Sequence, residues 1–244
     1  MVWQPEIEEF LDRLSLAPGQ RVLALGCGLG LDLPRLARRV SPGGEVIGVE
    51  PDPSLAFDCV RLVEACSLRN VRVVTGPAGA LPAGPFDAVF SPWFFSLLPD
   101  VKGLLRRLRG LVPSGRLGVL DLYPSGLRVF PAAPCLERLL ATAHQWASQL
   151  GLNFYLMGQL PGELVSSGFL LEGAWPRQKA EVPGTATYRW VERLLLDVGP
   201  RLVSEELLDE DAWNSTLSEW ALLRVDPSTL LFSPQLVGII GRTL

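Results

Sequence analysis

The stretch Val22-Leu23-Ala24-Leu25-Gly26-Cys27-Gly28-Leu29-Gly30 decides the fold. Its first four residues continue a short apolar run from Arg21 that reads as a buried strand, and Asp32 to Val40 carries the apolar spacing of a helix. Between them, three glycines at alternate positions let the backbone turn sharply and approach a ligand closely, with amides at the helix start open to polar or anionic groups. A tight turn without a ligand would use the same residues. The spacing separates ligand classes, because a dinucleotide-binding turn reads G-x-G-x-x-G, whereas here the third glycine, Gly30, comes one position early and Leu31 follows.

Working outward, Ser41-Pro42-Gly43-Gly44 ends the helix and Val46 to Glu50 reads as a second strand, completing one βαβ unit. Glu50 closes that strand twenty residues past Gly30, at the edge where both ribose hydroxyls of an adenosyl ligand would be bound; its bland alternative is a solvated strand end. The early third glycine and Glu50 together favour an adenosylmethionine ligand over a nicotinamide one. Upstream, Pro5 to Leu14 has a helical pattern. Downstream, the pattern gives a helix from Pro53 to about Ser67, strands at Val71–Thr75 and Phe86–Phe90, a helix at Val101–Leu111, a strand at Arg116–Leu122 and a long helix at Pro134–Leu150. Gln159–Ser167 and Phe169–Trp175 add a helix and a strand, and Arg177–Gly184 reads as a loop. Tyr188–Val198 and Ser204–Leu223 are helical, and Leu236–Gly241 restores a strand. This alternation is that of an α/β protein with a parallel sheet covered by helices on both faces. The expected organisation is a single domain over 1–244, with a cofactor-binding core at 1–176, a helical insertion or lid at 177–234 and a final strand at 235–244.

Composition narrows the function classes. A formal net charge of −4, with 20 arginines and 2 lysines scattered among acids, leaves no basic stripe for nucleic acid. No apolar run reaches the roughly 20 residues of a membrane helix, since Ser233, Pro234 and Gln235 break Leu230 to Ile240. The opening residues have neither a signal-peptide nor a transit-peptide pattern, so a cytoplasmic protein is expected. Cys27, Cys59, Cys66 and Cys135 form no C-x-x-C spacing and read as buried thiols, and one histidine gives no metal cluster, so no metal is expected.

Beyond the glycine turn, Pro85-Phe86-Asp87-Ala88-Val89-Phe90-Ser91-Pro92, then Leu98-Pro99-Asp100, then Leu111-Val112-Pro113-Ser114-Gly115-Arg116-Leu117 continue an ordered series. Over about the first 175 residues the chain resembles the class I S-adenosylmethionine-dependent methyltransferases, in particular the small-molecule branch, whose usual wording is VLDLGCGTG, FDVV and LKPGGRL. The resemblance implies a Rossmann-like seven-stranded sheet with its last strand antiparallel. It implies that Gly26, Cys27, Gly28 and Gly30 line the methionine and ribose, Glu50 holds the ribose, Pro51 or Asp52 flanks the adenine, Ala78 and Gly79 run along the adenine edge and Ser91 sits near the sulfonium. Two positions depart from the family. Ala24 stands where an acid usually helps hold the methionine end, and Gly76-Pro77-Ala78-Gly79-Ala80 replaces a motif whose acid recognises the adenine amino group, with Asp32 or Asp121 as nearby substitutes. The family often carries an extra N-terminal helix over the cofactor, and the short opening here implies a more open site.

The substrate side is less determined by sequence. His144, in Ala143-His144-Gln145-Trp146, is the candidate general base, against a packed or surface histidine. Trp93 and Phe94 follow the fourth strand and either wall the methyl-transfer pocket or belong to the core. Tyr188 and Trp190 open the inserted helices, as a lid over an apolar substrate or as simple packing. The expected activity is methyl transfer from S-adenosylmethionine to a small, rather apolar molecule. Two rivals stand beside it: a non-catalytic adenosylmethionine or adenosylhomocysteine binder, suggested by Ala24 and Pro77, and a nicotinamide-dependent oxidoreductase, disfavoured by the glycine spacing and by the absence of a Tyr-x-x-x-Lys pair.

Overall fold

In the computed structural model, which describes residues 2–77 and 80–243, the chain falls into two compact units. One comprises residues 5–121, 156–175 and 237–244; the other comprises residues 1–4, 122–155 and 176–236.

The elements run α1 (Gln4–Leu14), β1 (Arg21–Leu25), α2 (Leu33–Val40), β2 (Glu45–Glu50), α3 (Pro53–Ala65), β3 (Val71–Thr75), β4 (Ala88–Pro92), α4 (Val101–Leu111) and β5 (Arg116–Tyr123). They continue β6 (Arg128–Phe130), α5 (Pro134–Gln149), α6 (Leu156–Ser166), β7 (Leu170–Arg177), β8 (Ala180–Glu181), α7 (Ala186–Ser204), α8 (Glu210–Val225), β9 (Leu230–Phe232) and β10 (Gln235–Arg242).

The main sheet has seven strands in the order β3-β2-β1-β4-β5-β10-β7. Val22 of β1 pairs in parallel with Val46 of β2 on one side and Ala88 of β4 on the other, and the β2–β3 and β4–β5 pairs are parallel too. Strands buried on both faces must be apolar almost throughout, and Val22 to Leu25 and Val46 to Val49 meet that demand with no exposed side chain. The helix α1 buries Ile7, Phe10, Leu11 and Leu14, at spacings of three and four. Gly118 and Gly238, on neighbouring strands of the sheet, make room for the Phe10 ring; a Cβ at Gly238 would lie 2.4 Å from it. These strands place the C-terminal edges of β1, β2 and β4 side by side, at the point where strand order reverses.

The other unit is built on α5, α7 and α8, which pack on one another, with a three-stranded antiparallel sheet in the order β6-β9-β8. Its core contains Leu136, Leu139, Tyr188, Val191, Leu202, Trp220 and Leu231.

The structure shifts some expected boundaries. The fourth strand is Ala88–Pro92 and not Phe86–Phe90, because Phe86 gives its N–H to the Leu111 carbonyl and the ladder with Val22 begins only at Ala88. The helix expected at Ser204–Leu223 begins instead at Glu210: Glu206, at φ 57°, breaks the chain out of α7, and Asp209 caps α8 by accepting the Ala212 N–H at 2.6 Å. The loop expected at Arg177–Gly184 contains β8. Of the thiols expected to be buried, Cys59 is, whereas Cys66 at the end of α3 is exposed.

Candidate functional site

The turn after β1 takes the conformation its glycines allow. Gly26, Gly28 and Gly30 have φ of 67°, 53° and 79°, a region that costs a side-chain-bearing residue roughly 1–2 kcal/mol. Space reinforces the requirement at two of them: a Cβ on Gly26 would lie 2.3 Å from the Phe94 ring, and one on Gly30 would lie 2.6 Å from Cys59 Sγ. Gly28 differs, for among the described residues beyond its own chain neighbours nothing lies within 4 Å of where its Cβ would be. Open space above a left-handed glycine is what a closely approaching ligand needs.

Glu50 faces this turn from the end of β2. It is 6% exposed; its Oε2 accepts the Gly28 N–H at 2.7 Å and its Oε1 accepts the Asp52 N–H at 3.0 Å. Each carboxylate oxygen retains a further lone pair, so the acid is fixed in place by backbone amides and still able to accept two hydroxyl protons. Asp52 caps α3, accepting the Ser54 and Leu55 N–H groups at 2.8 and 3.1 Å, and Pro53 starts the helix with no N–H to satisfy.

Pro51 and Phe94 line a cavity of about 510 Å³ together with Pro77, Leu97, Leu98 and Arg107. A volume of that size is in the range of small-molecule sites, and two prolines with two leucines offer a flat ring apolar walls. Leu97 and Arg107 escaped the sequence reading because one lies in a single short turn and the other on a helix face, outside any motif.

The remaining expected site residues are placed as follows. Ser91 is wholly buried and donates its hydroxyl to the Leu25 carbonyl at 2.9 Å, tying β4 to β1. Trp93 is left-handed at φ 57° and gives its N–H to the Leu120 carbonyl, while Phe94 is buried against Gly26. Ala78 and Gly79 lie outside the described residues. Ala24 is 2% exposed, inside β1. Its two suggested substitutes are engaged: Asp32 with Arg35 at 2.7 Å, and Asp121 with the Ser96 N–H at 3.0 Å. Burial lifts the Asp32 carboxyl above its ordinary value, partly offset by Arg35.

In the helical unit, His144 is half-buried on α5, and its Nδ1 lies 3.2 Å from the Tyr155 hydroxyl. Burial holds the imidazole below its ordinary value. His144 and Tyr155 line a cavity of about 230 Å³ with Arg128, Glu137 and Leu140. Tyr188 is 1% exposed and stacks on Trp220 with ring centres 4.7 Å apart, as a core residue, and Trp190 meets Trp3 edge-on at 6.0 Å. Among the described residues no cluster of His, Cys, Asp or Glu is arranged to hold a metal, and no helix is long and apolar enough to cross a membrane.

A mostly parallel sheet with a glycine turn and a fixed acid at adjacent strand ends defines a Rossmann-like ligand-binding protein. Residues 22–115 match the family model described as a methyltransferase domain. The chain is 30% identical over 183 residues to nocamycin O-methyltransferase of Saccharothrix syringae, covering 69% of this chain and 65% of that one. It is 26% identical over 180 residues to a demethylmenaquinone methyltransferase of Geobacillus kaustophilus, covering 72% and 70%. The chain spans under two thirds of the first of these, and 31% and 32% of two further relatives. A methyltransferase-fold structure from Bacillus halodurans superposes with a TM-score of 0.65 at 12% identity, over 98% of each chain. The chain is thus similar to methyltransferases, through its residues 22–115 and across the stretches these relatives share with it.

Proposed function

We propose that the protein transfers the methyl group of S-adenosylmethionine to a small, rather apolar molecule. The observation that carries this reading is Glu50, buried at the end of β2 with one oxygen on the Gly28 amide and the other on the Asp52 amide, beside a turn that is open above Gly28. That arrangement suits an adenosyl group: the two spare lone pairs of Glu50 match a ribose diol, the glycine turn admits the ribose and methionine, and Pro51 and Pro77 offer apolar walls for the adenine.

When bound, the cofactor supplies an activated methyl on a sulfonium, so the chain's own task is placement. Gly26, Cys27, Gly28 and Gly30 set the backbone against the ligand, Pro51 or Asp52 flanks its base and Ser91 fixes the strand behind it. Trp93 and Phe94 form the wall nearest the transferring methyl, whereas Tyr188, buried and stacked on Trp220, serves the core of its own unit. His144 takes the proton of an acceptor hydroxyl; burial keeps the imidazole neutral and so able to accept at neutral pH. Holding acceptor and methyl in line supplies up to about 7–11 kcal/mol of the barrier reduction. The protein acts in the cytoplasm on a free small molecule and not on nucleic acid, in keeping with its net charge of −4.

Calorimetric titration with S-adenosylmethionine and S-adenosylhomocysteine, with NAD and NADP as controls, tests this. Binding of the adenosyl pair alone is expected, and Glu50→Ala weakens it about 10- to 100-fold, the worth of a charged hydrogen bond. Unchanged affinity in Glu50→Ala removes the acid from the site. The lack of an acid at the buried Ala24 favours one second reading, a binder without turnover; tight binding with no methyl transfer to any of a panel of phenols, acids and amines would select it.

A further inference from the structure

Beneath the glycine turn two sulfurs touch. Cys27, between Gly26 and Gly28, places its Sγ 3.9 Å from the Sγ of Cys59 on α3. Two glycines make the room: a Cβ on Gly48 would lie 2.9 Å from Cys27 Sγ, and one on Gly30 would lie 2.6 Å from Cys59 Sγ. Cys59 is fully buried and Cys27 is partly buried, so Cys27 is the more accessible residue of the pair.

We propose that Cys27 and Cys59 are a redox-active dithiol that closes to an intramolecular disulfide, and that closure weakens ligand binding at the glycine turn. The second half rests on the cofactor reading above; the first does not. With hydrogen peroxide as oxidant, ionised Cys27 attacks one peroxide oxygen, the O–O bond breaks and hydroxide leaves, so Cys27 becomes a sulfenic acid. Cys59 then attacks the Cys27 sulfur as a thiolate, the S–S bond forms, and the S–O bond breaks with loss of hydroxide. In sum, two thiols lose two electrons and two protons, and one peroxide becomes two waters.

The pair's acidity supports the second step more than the first. The contact with Cys27 lowers Cys59 despite burial and the nearby Glu50 charge, and for the same reason Cys27 holds its proton more tightly. Cys59 is therefore ready to resolve an oxidised Cys27, whereas the initial attack is slow and calls for millimolar peroxide.

A disulfide needs an S–S distance of about 2.05 Å, so the sulfurs must close by about 1.9 Å. Cys59 is held in a helix; the displacement falls on Cys27 and turns the peptide planes on either side of it. One of these carries the Gly28 N–H that fixes Glu50.

The test is to treat the purified protein with peroxide, alkylate the free thiols and map peptides by mass, then titrate oxidised, re-reduced and untreated protein with S-adenosylhomocysteine. The expected result is a loss of two mass units, a Cys27–Cys59 linked peptide with Cys66 and Cys135 still alkylated, and an affinity at least about tenfold weaker that dithiothreitol restores. In Cys59→Ala the resolving thiol is gone and a sulfenic-acid probe labels Cys27 instead. Both cysteines still alkylated after treatment, or Cys27 driven to the sulfinic acid in the native protein, overturns the dithiol. A disulfide with unchanged affinity overturns its coupling to the site. If the untreated protein binds no S-adenosylhomocysteine, the cofactor reading fails while the linked peptide still decides the dithiol.

Discussion

The Tyr188 hydroxyl is buried with no hydrogen-bond partner among the described residues, and burial, with Glu192 nearby, pushes the phenol up to about 12. An unsatisfied buried hydroxyl costs about 1–3 kcal/mol, whereas the ring is well used against Trp220. Tyr188→Phe is therefore expected to raise stability by about 1 kcal/mol in urea denaturation while leaving the stack intact. His144 makes the opposite kind of prediction, one about pH. Its folded value lies below the ordinary 6.5, so unfolding takes up a proton between the two values. Its contribution to stability is complete above 6.5 and is lost as pH falls through the folded value. As the chain has one histidine, a single imidazole resonance followed by NMR gives the value directly, and His144→Gln flattens the slope of stability with pH in this window. At this scale the sequence was informative where backbone conformation dictates the residue. Gly26, Gly28 and Gly30 announced a left-handed turn because few other residues fit one, and Glu50 was found by its distance from them. Tyr188 gave no such sign, since an aromatic at a helix start looks the same in a core as over a ligand.

Among the elements, α1 and α2 are joined by charge as well as by apolar packing. Arg35 and Arg39 of α2 bind the two oxygens of Glu8 at 2.6 and 2.5 Å, and Arg39 also reaches Asp12 at 2.8 Å. Partial burial raises the Glu8 carboxyl, but the two arginines outweigh it and hold it below its ordinary 4.5. The stabilisation is thus present above 4.5 and lost as pH falls through the folded value. Because Glu8 is 36% exposed and screened by solvent, Glu8→Gln is expected to cost no more than about 1 kcal/mol at neutral pH. Chemical denaturation at about pH 7 and about pH 3 checks this, with the difference vanishing at the lower pH. None of these pairs was visible in sequence, where Glu8 and its arginines stand 27 and 31 residues apart. The longer elements were visible, since several apolar residues in phase outweigh local noise, as with Ile7, Phe10, Leu11 and Leu14 of α1. The strands β6, β8 and β9, of two or three residues, carry too few positions for an alternation to show and depend on pairing with one another.

For the whole molecule, ligand binding and folding are linked. A ligand that binds only the folded chain at about 100 times its Kd adds roughly 2.7 kcal/mol, which for a protein of this size raises Tm by about 5–10 °C. S-adenosylhomocysteine is expected to produce that shift in a thermal melt, and NAD to produce none. The sheet order has a consequence for synthesis. β7 lies at the edge, and its neighbour in the sheet is β10, with 57 residues of chain between the end of β7 and the start of β10. At the pace of translation, about 5–20 residues per second, β7 leaves the ribosome roughly 3–11 s before the strand that completes it. During that interval both its edges are open to any passing strand, so the nascent chain passes through a stage in which it needs a chaperone more than the finished protein ever does.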